Sequence, residues 1–385
     1  MSIENHFKCG LPVVGSDFYG RNQLLHRLLR QTEGRVLLIG QRRIGKSSLL
    51  RQIEYLLQSS PSSRREGKAI AILKCDAQST AGAADDFELL MGQVIKQLAQ
   101  WTEHFSPEFS IPRSKRSELV KYDVAAELFK SALQRGLKLL LLIDEIEVLA
   151  QKSRIKLRAL TQESEISLFA VSATNPSALG TSEFGSAWFN FFSMEHVGLF
   201  SQIEARDMLQ AISKRGGRQF TEEECSVLIE VFGPFPFFLQ LAGWECFHSS
   251  EFLQSNRSCG AAFKRAFADL AFRVQPHFTS MLSRLNEKQR DVLIDVANGS
   301  SVSDTFETNE LSAMALVTKD HAGRWKVFSS SFKHFVLQAA GKENAERAPE
   351  HREDAHKKWW DVASDVAAKA IGTALEKAIE AAVGH

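Results

Sequence analysis

The segment Gly40-Gln41-Arg42-Arg43-Ile44-Gly45-Lys46-Ser47 constrains this chain more than any other stretch. It fits G-x-x-x-x-G-K-[ST] at every fixed position. Before it stands an apolar run, Arg35 to Ile39, that reads as a buried strand; after it, Leu49, Leu50, Ile53, Leu56 and Leu57 fall at helical spacing. Strand, glycine loop and helix form the context in which such a loop cradles phosphate groups. The glycines let the backbone curl so that successive N–H groups point at the β- and γ-phosphates, and the helix adds its positive N-terminal end. Lys46 supplies a point charge to the same phosphates, and the Ser47 hydroxyl is placed to ligate Mg²⁺. The nucleotide-binding loop is read as the nine residues from Gly40 through Ser48.

Turnover of a bound nucleotide needs a metal partner and a positioned water. Leu139 to Glu145 (LLLLIDE) offers both at a strand end. Asp144 would hold magnesium through a water, and Glu145 would activate or orient the attacking water. A second reading leaves these acids as caps of the following helix. Beyond the next strand comes Ser172-Ala173-Thr174-Asn175-Pro176. There Asn175, with Thr174 in reserve, could contact both the γ-phosphate and the water, or the residues could form a simple Asn-Pro turn.

Strand and helix signals alternate through the first half of the chain. Ala69–Cys75, Leu137–Ile143 and Ser167–Ser172 read as strands; Asn22–Gln31, Asp85–Trp101, Tyr122–Arg135 and Arg154–Gln162 read as helices. The nearly all-apolar Leu137–Ile143 belongs in the middle of a parallel sheet covered on both faces. The expected architecture is a doubly wound α/β P-loop NTPase domain over 1–200. Helices then dominate, giving a lid-like domain over 201–280. Over 281–340, helices surround a short strand pair, Leu316–Thr318 and Trp325–Phe328, in the manner of a winged helix. A polar linker, 341–358, leads to an alanine-rich amphipathic helix over 359–385.

The bulk numbers exclude several classes. A formal net charge of +1 gives no global attraction to nucleic acid or anionic membrane. The five cysteines are scattered, with no CxxC pair, which fits reduced thiols better than a disulfide framework or a zinc site. The first residues, MSIENHFKCGLPVVG, lack a basic start followed by a long apolar stretch, and no run approaches the roughly 18 apolar residues of a spanning helix. The expected location is the cytoplasm.

The motifs together resemble a known family. Phe18-Tyr19-Gly20-Arg21 resembles an F-x-G-R box, and Asp144-Glu145-Ile146 a D-E-[IV] acidic box. Val197 to Leu209 is similar to the segment that opens a helical lid. Gly233-Pro234-Phe235-Pro236 followed by FFLQLAG resembles a G-G-h-P-[FY]-h-h-Q motif. In this order they resemble the STAND branch of the AAA+ ATPases, in particular the archaeal-type ATPases of prokaryotes, over about residues 14–340. The resemblance implies adenine as the base, Gly20 and Arg21 against the base or ribose, and Pro236 touching the nucleotide from the lid. It also implies a slow switch, closed with ADP and assembled with ATP, as a homo-oligomer or with a separately encoded protein partner. Pro234 departs from the pattern, standing where the family has a second glycine, and Pro236 has the alternative role of a helix-start proline.

Other features leave alternatives open. Arg158 could serve as an arginine finger toward a neighbour, or Lys152, Arg154, Lys156 and Arg158 could be a solvated helix face. The C-terminal segment, with Trp359, Trp360, Val362, Val366, Ile371, Leu375, Ile379 and Val383, could pack on the body, self-associate or lie on a membrane surface. A DNA-binding ATPase like the origin-recognition family is the main rival function. Against it, the expected recognition helix, Thr308–Leu316, has no lysine or arginine, although Lys319, Arg324 and Lys326 lie in the wing. A non-catalytic nucleotide-binding scaffold is the third reading.

Overall fold

The structure is a computed structural model that describes residues 4–59, 64–65, 68–105, 111–172, 190–248, 270 and 273–346. It divides into two compact units. One runs Pro12–Val197; the other is built from the described residues of Met1–Leu11 and Gly198–His385.

The first unit centres on a six-stranded sheet. Its strands are β1 (Arg35–Ile39), β2 (Arg64–Arg65), β3 (Lys68–Asp76), β4 (Lys138–Asp144), β5 (Ser167–Ser172) and β6 (Ser193–His196), in the order β2-β3-β4-β5-β1-β6. Five are parallel; the two-residue β2 pairs antiparallel with β3 at one edge. The helices of this unit are α1 (Asn22–Arg30), α2 (Lys46–Ser59), α3 (Asp86–Phe105), α4 (Tyr122–Gln134) and α5 (Gln151–Glu163).

Period-two alternation sends successive side chains to opposite faces of the sheet. Leu37, Ile39, Leu139, Leu141, Ile143, Leu168 and Ala170 join the core formed with α3, α4 and α5. Val36, Leu38, Leu140, Leu142, Phe169 and Val171 are buried too and face the other way, where α2 lies over β4 and β5 with α1 against it. Both faces being covered explains why β4 reads as an uninterrupted apolar run.

Two elements differ from expectation. The edge strand β6 carries the sequence Ser-Met-Glu-His, with no apolar alternation to reveal it; pairing with β1 makes it a strand. Helix α5 begins at Gln151, ahead of the expected Arg154. Its start is fixed from afar: the buried Asp86 carboxylate accepts the Ala150 N–H at 2.6 Å and the Ser153 hydroxyl, satisfying donors that a helix start leaves open.

The second unit is helical: α6 (Gln202–Arg215), α7 (Glu222–Phe232), α8 (Pro236–His248), α9 (Glu287–Asn298), α10 (Phe306–Ala313) and α11 (Ser330–Glu346). Capping boxes at Ser201, Thr221, Asn286 and Thr305 open four of these helices. A small hairpin, β7 (Val317–Lys319) and β8 (Trp325–Val327), stands between α10 and α11.

Residues 4–11, expected with the α/β domain, belong here instead. Phe7 is buried, its ring stacked 5.7 Å from that of Phe220, and it fills the space a side chain at Gly243 would need. Asn5 donates to the Trp244 carbonyl, and the Lys8 N–H donates to Gln240 Oε1, both at 2.9 Å. Helix α11 continues to Glu346, so the first residues of the expected polar linker are helical. The remainder of that linker and the expected helix over 359–385 lie outside the described residues. No helix among the described residues is long and apolar enough to cross a membrane.

Candidate nucleotide site

The five parallel strands end along one edge of the sheet. In register, Ile39 of β1 sits opposite Ser172 of β5 and His196 of β6, and Asp144 of β4 opposite Asp76 of β3. The loop Gly40–Gly45 leaves β1 at this edge, and its last residues turn into α2. A side chain on Gly40 would meet the Val197 carbonyl oxygen at 2.5 Å, so glycine is required by close backbone approach. Arg43 and Gly45 take the left-handed backbone, at φ 62 and 101°, which curls the loop.

Lys46 is the first residue of α2 and is buried. Its ammonium donates to the carbonyls of Gly40 and Gln41, each at 2.8 Å, so the lysine spans the loop it belongs to. Gln41 is also buried, and its side-chain oxygen accepts the Arg42 N–H at 3.1 Å. Ile44 is fully buried and anchors the loop's far side. Ser47 and Asp144 border the same cavity, and the Ser47 hydroxyl favours the ionised Asp144 carboxylate, bringing together the two residues expected to share a metal. Ser48 points elsewhere: its hydroxyl accepts the Val13 N–H at 3.1 Å, which ties the segment before α1 to the loop helix. Its side chain therefore fixes the loop's surroundings.

Burial pushes the Asp144 carboxyl above its ordinary range; the Ser47 hydrogen bond, the Glu145 N–H and the Lys46 charge pull the other way, while Asp76 adds to the rise. Glu145 follows β4 in left-handed conformation, φ 52° and ψ 43°, which turns it out of the strand direction. Its carboxyl is raised by burial and by Glu147, and Arg42 opposes the rise. Buried cations on curled backbone beside a hydroxyl–carboxylate pair suit a phosphate chain with a hard divalent cation. Ser47 and Asp144 are the residues that would hold such a cation, which would neutralise phosphate charge there.

One participant, Asp76, escaped sequence reasoning, and another, Arg21, makes a contact that sequence reasoning did not give. Arg21 precedes α1 at φ 60°, is buried, and donates through Nη2 to the Ile44 carbonyl at 2.5 Å. It thus contacts the phosphate loop itself; Gly20, next to it, also has positive φ, 68°. Asp76 closes β3 beside Asp144, and a cavity of about 230 Å³ is bordered by Ser47, Arg51, Lys74, Asp76, Gln93 and Asp144. A carboxylate just past an apolar strand, in the same position as Asp144 on its own strand, was the available signal.

Thr174 and Asn175 lie outside the described residues. Arg158 lies over the Phe191 ring, 5.8 Å from its centre, within its own unit. Pro236 belongs to the helical unit and is the first residue of α8, where its fixed φ suits a helix start. Gly233 before it, at φ 72°, lies where a side chain would collide with Phe328, and the Pro234 carbonyl accepts the Phe200 N–H at 2.9 Å.

No family model matches this sequence, and no curated protein is significantly similar to it. Solved structures do resemble it. The Walker-type ATPase PABY2304 of Pyrococcus abyssi aligns with a TM-score of 0.59 at 16% identity, over 86% of this chain and 99% of its own. The ORC2 protein of Aeropyrum pernix, solved in ADPNP–ADP complexes, aligns with a TM-score of 0.51 at 12% identity, over 84% of this chain and 95% of its own. The chain therefore shares the fold of these two proteins, a parallel sheet between helices with a phosphate-binding loop after β1.

Proposed function

We propose that this protein is an ATP-binding, slowly hydrolysing regulatory switch of the STAND type, in which nucleotide state controls assembly. The observation that carries the reading is the conjunction at the sheet edge: Lys46 drawn across its own loop, and Ser47 and Asp144 bordering one cavity. A chance G-x-x-x-x-G-K-S would not bring an acidic strand end to its serine.

In this account the loop N–H groups and Lys46 hold the β- and γ-phosphates, and Ser47 and Asp144 hold magnesium. Glu145 orients and deprotonates the attacking water. The helical unit serves as the lid, α9, α10 and the hairpin as a winged helix, and signalling or phage defence in a prokaryote as the setting. That assignment of roles rests on the family resemblance of the sequence motifs.

The DNA-binding alternative shares the fold, but the hairpin does not support it. Lys319 pairs with Asp304 at 2.8 Å and Arg324 with Asp320 at 2.9 Å, so two of the hairpin's three cations are neutralised locally. Helix α10, FETNELSA, offers acids and no cation to a groove.

The test is the solution mass of Glu145→Gln with ADP and with ATP and Mg²⁺. A discrete larger species appearing only with ATP is expected. An unchanged mass in both would remove nucleotide-driven self-assembly.

A further inference from the structure

Residues 4–9 fill a groove in the helical unit, lined by the end of α6, by Phe220 and by one side of α8. The Glu4 N–H donates to the Gly216 carbonyl at 3.3 Å, the Asn5 amide to the Trp244 carbonyl and the Lys8 N–H to Gln240 Oε1. The Phe7 ring is buried, its centre 5.7 Å from that of Phe220 and 6.3 Å from that of Phe247. Two glycines make the room. A side chain on Gly243 would collide with the Phe7 ring, and one on Gly216 would meet the Glu4 carbonyl oxygen at 2.5 Å. The groove is thus built for a peptide with one aromatic anchor and a fixed register.

The segment leads into a hinge. Gly10 takes φ 82° with open space around it, and Leu11 is 72% exposed. In the α/β unit, Ser48 then holds the Val13 N–H, and Gln52 Oε1 accepts the Gly15 N–H at 2.7 Å. Only residues 9–12 separate the Lys8 contact from the Val13 contact, at most about 17 Å of extended chain. Ser48 belongs to the nucleotide loop, so the link starts from the loop itself.

We propose that the groove is an exchange site between copies of this chain: it holds the chain's own residues 4–9 before assembly and a second copy's residues 4–9 after it. The inference rests on the switch reading above and names the interface that reading needs. While both ends hold, so short a link keeps the chain's own segment near its groove at an effective concentration of about millimolar, and no other copy competes. Lid movement that takes the groove beyond the link's reach withdraws the segment and bares Phe220 and Phe247. A second copy's segment restores every contact, which makes swapping an identical element a low-cost route to association.

The test uses the full chain in the Glu145→Gln background with ATP and Mg²⁺. Phe7→Ala spoils the segment and leaves the groove; Gly243→Ala fills the groove and leaves the segment. Each variant alone should keep the mass it has with ADP. Their equimolar mixture should form a larger species containing both, because one supplies the segment and the other the groove. A labelled synthetic peptide of residues 2–10 should bind the Phe7→Ala chain. Binding should weaken about 10–100-fold when the peptide itself carries Phe7→Ala, or when Gly243→Ala is added to that chain. Phe7→Leu and Gly216→Ala take their places should either variant not fold. Either variant assembling alone as the parent does would overturn the proposal. So would a mixture no larger than its components while the parent assembles, or a peptide that does not bind. Failure of the switch reading looks different: the parent keeps one mass with ADP and with ATP, while the peptide still binds the Phe7→Ala chain.

Discussion

Arg21 Nη2 lies 2.5 Å from the carbonyl oxygen of Ile44, joining the residue that opens α1 to the crown of the phosphate loop. Both partners are buried, so the bond is charge-assisted and its loss leaves a carbonyl without its donor. Arg21→Ala should cost about 1–3 kcal/mol in urea unfolding. It should also weaken nucleotide binding more than it weakens turnover of bound nucleotide. Arg21→Lys should rescue stability only in part. A variant as stable as wild type with unchanged ADP affinity would remove the bond from the account.

Gly40 is constrained by the Val197 carbonyl. Gly40→Ala places a methyl carbon 2.5 Å from that oxygen, well inside contact distance, and neither backbone can yield cheaply. A loss of about 1–3 kcal/mol is expected from such overpacking, with nucleotide affinity falling alongside. Urea melts and ADP titration of the same preparation read both effects.

Asp86 holds the start of α5 through Ala150 and Ser153. Asp86→Ala should lower stability by about 1–3 kcal/mol, the range for buried donors left without acceptors. Amide exchange should quicken first at residues 150–154, and exchange unchanged there would contradict the capping role.

Cys75 and Cys225 are buried, and burial pushes each thiol up to about 12, with neighbouring acids adding to the rise. The unfolded thiol ionises near 8.5. Above that pH the unfolded state releases protons that the folded state retains. The contribution is therefore neutral below about pH 8.5, and stability falls as pH rises toward 12. The urea midpoint should drop between pH 8 and 10, and Cys75→Ala with Cys225→Ala should flatten that drop.

At the hairpin, Asp304 also accepts the Trp325 indole N–H at 2.9 Å, and the Lys319 ammonium lies 4.7 Å from the centre of that ring. Such cations have little charge to spare for phosphate. No duplex DNA binding is expected at about 50 mM salt, whereas Asp304→Asn with Asp320→Asn should create weak, salt-sensitive binding. Firm binding by the wild-type chain would restore the DNA-binding reading.

What was legible in the sequence follows from how local each signal is. The loop from Gly40 to Ser48 lies within nine residues, and strands β1, β4 and β5 announce themselves by unbroken apolar runs. Asp144 was legible because it ends such a run. The rest depends on partners far along the chain. Edge strand β6 exists through β1, the start of α5 through Asp86, and the place of residues 4–11 through Phe7 meeting Phe220. Arg21 was legible as a site residue, but its contact with Ile44 depends on a left-handed residue before α1 that composition does not reveal. The pairing of Lys319 and Arg324 with acids was likewise hidden, since a basic hairpin and a neutralised one contain the same lysines and arginines.

The central claim is that Lys46, Ser47, Asp144 and Glu145 form one ATP site. Its most direct test is parallel measurement of ATP binding and turnover with Mg²⁺ for wild type, Lys46→Ala and Glu145→Gln. Wild type should bind and slowly hydrolyse, Glu145→Gln should bind without turnover, and Lys46→Ala should lose binding. Binding by Lys46→Ala equal to wild type, or undiminished turnover by Glu145→Gln, would contradict the account.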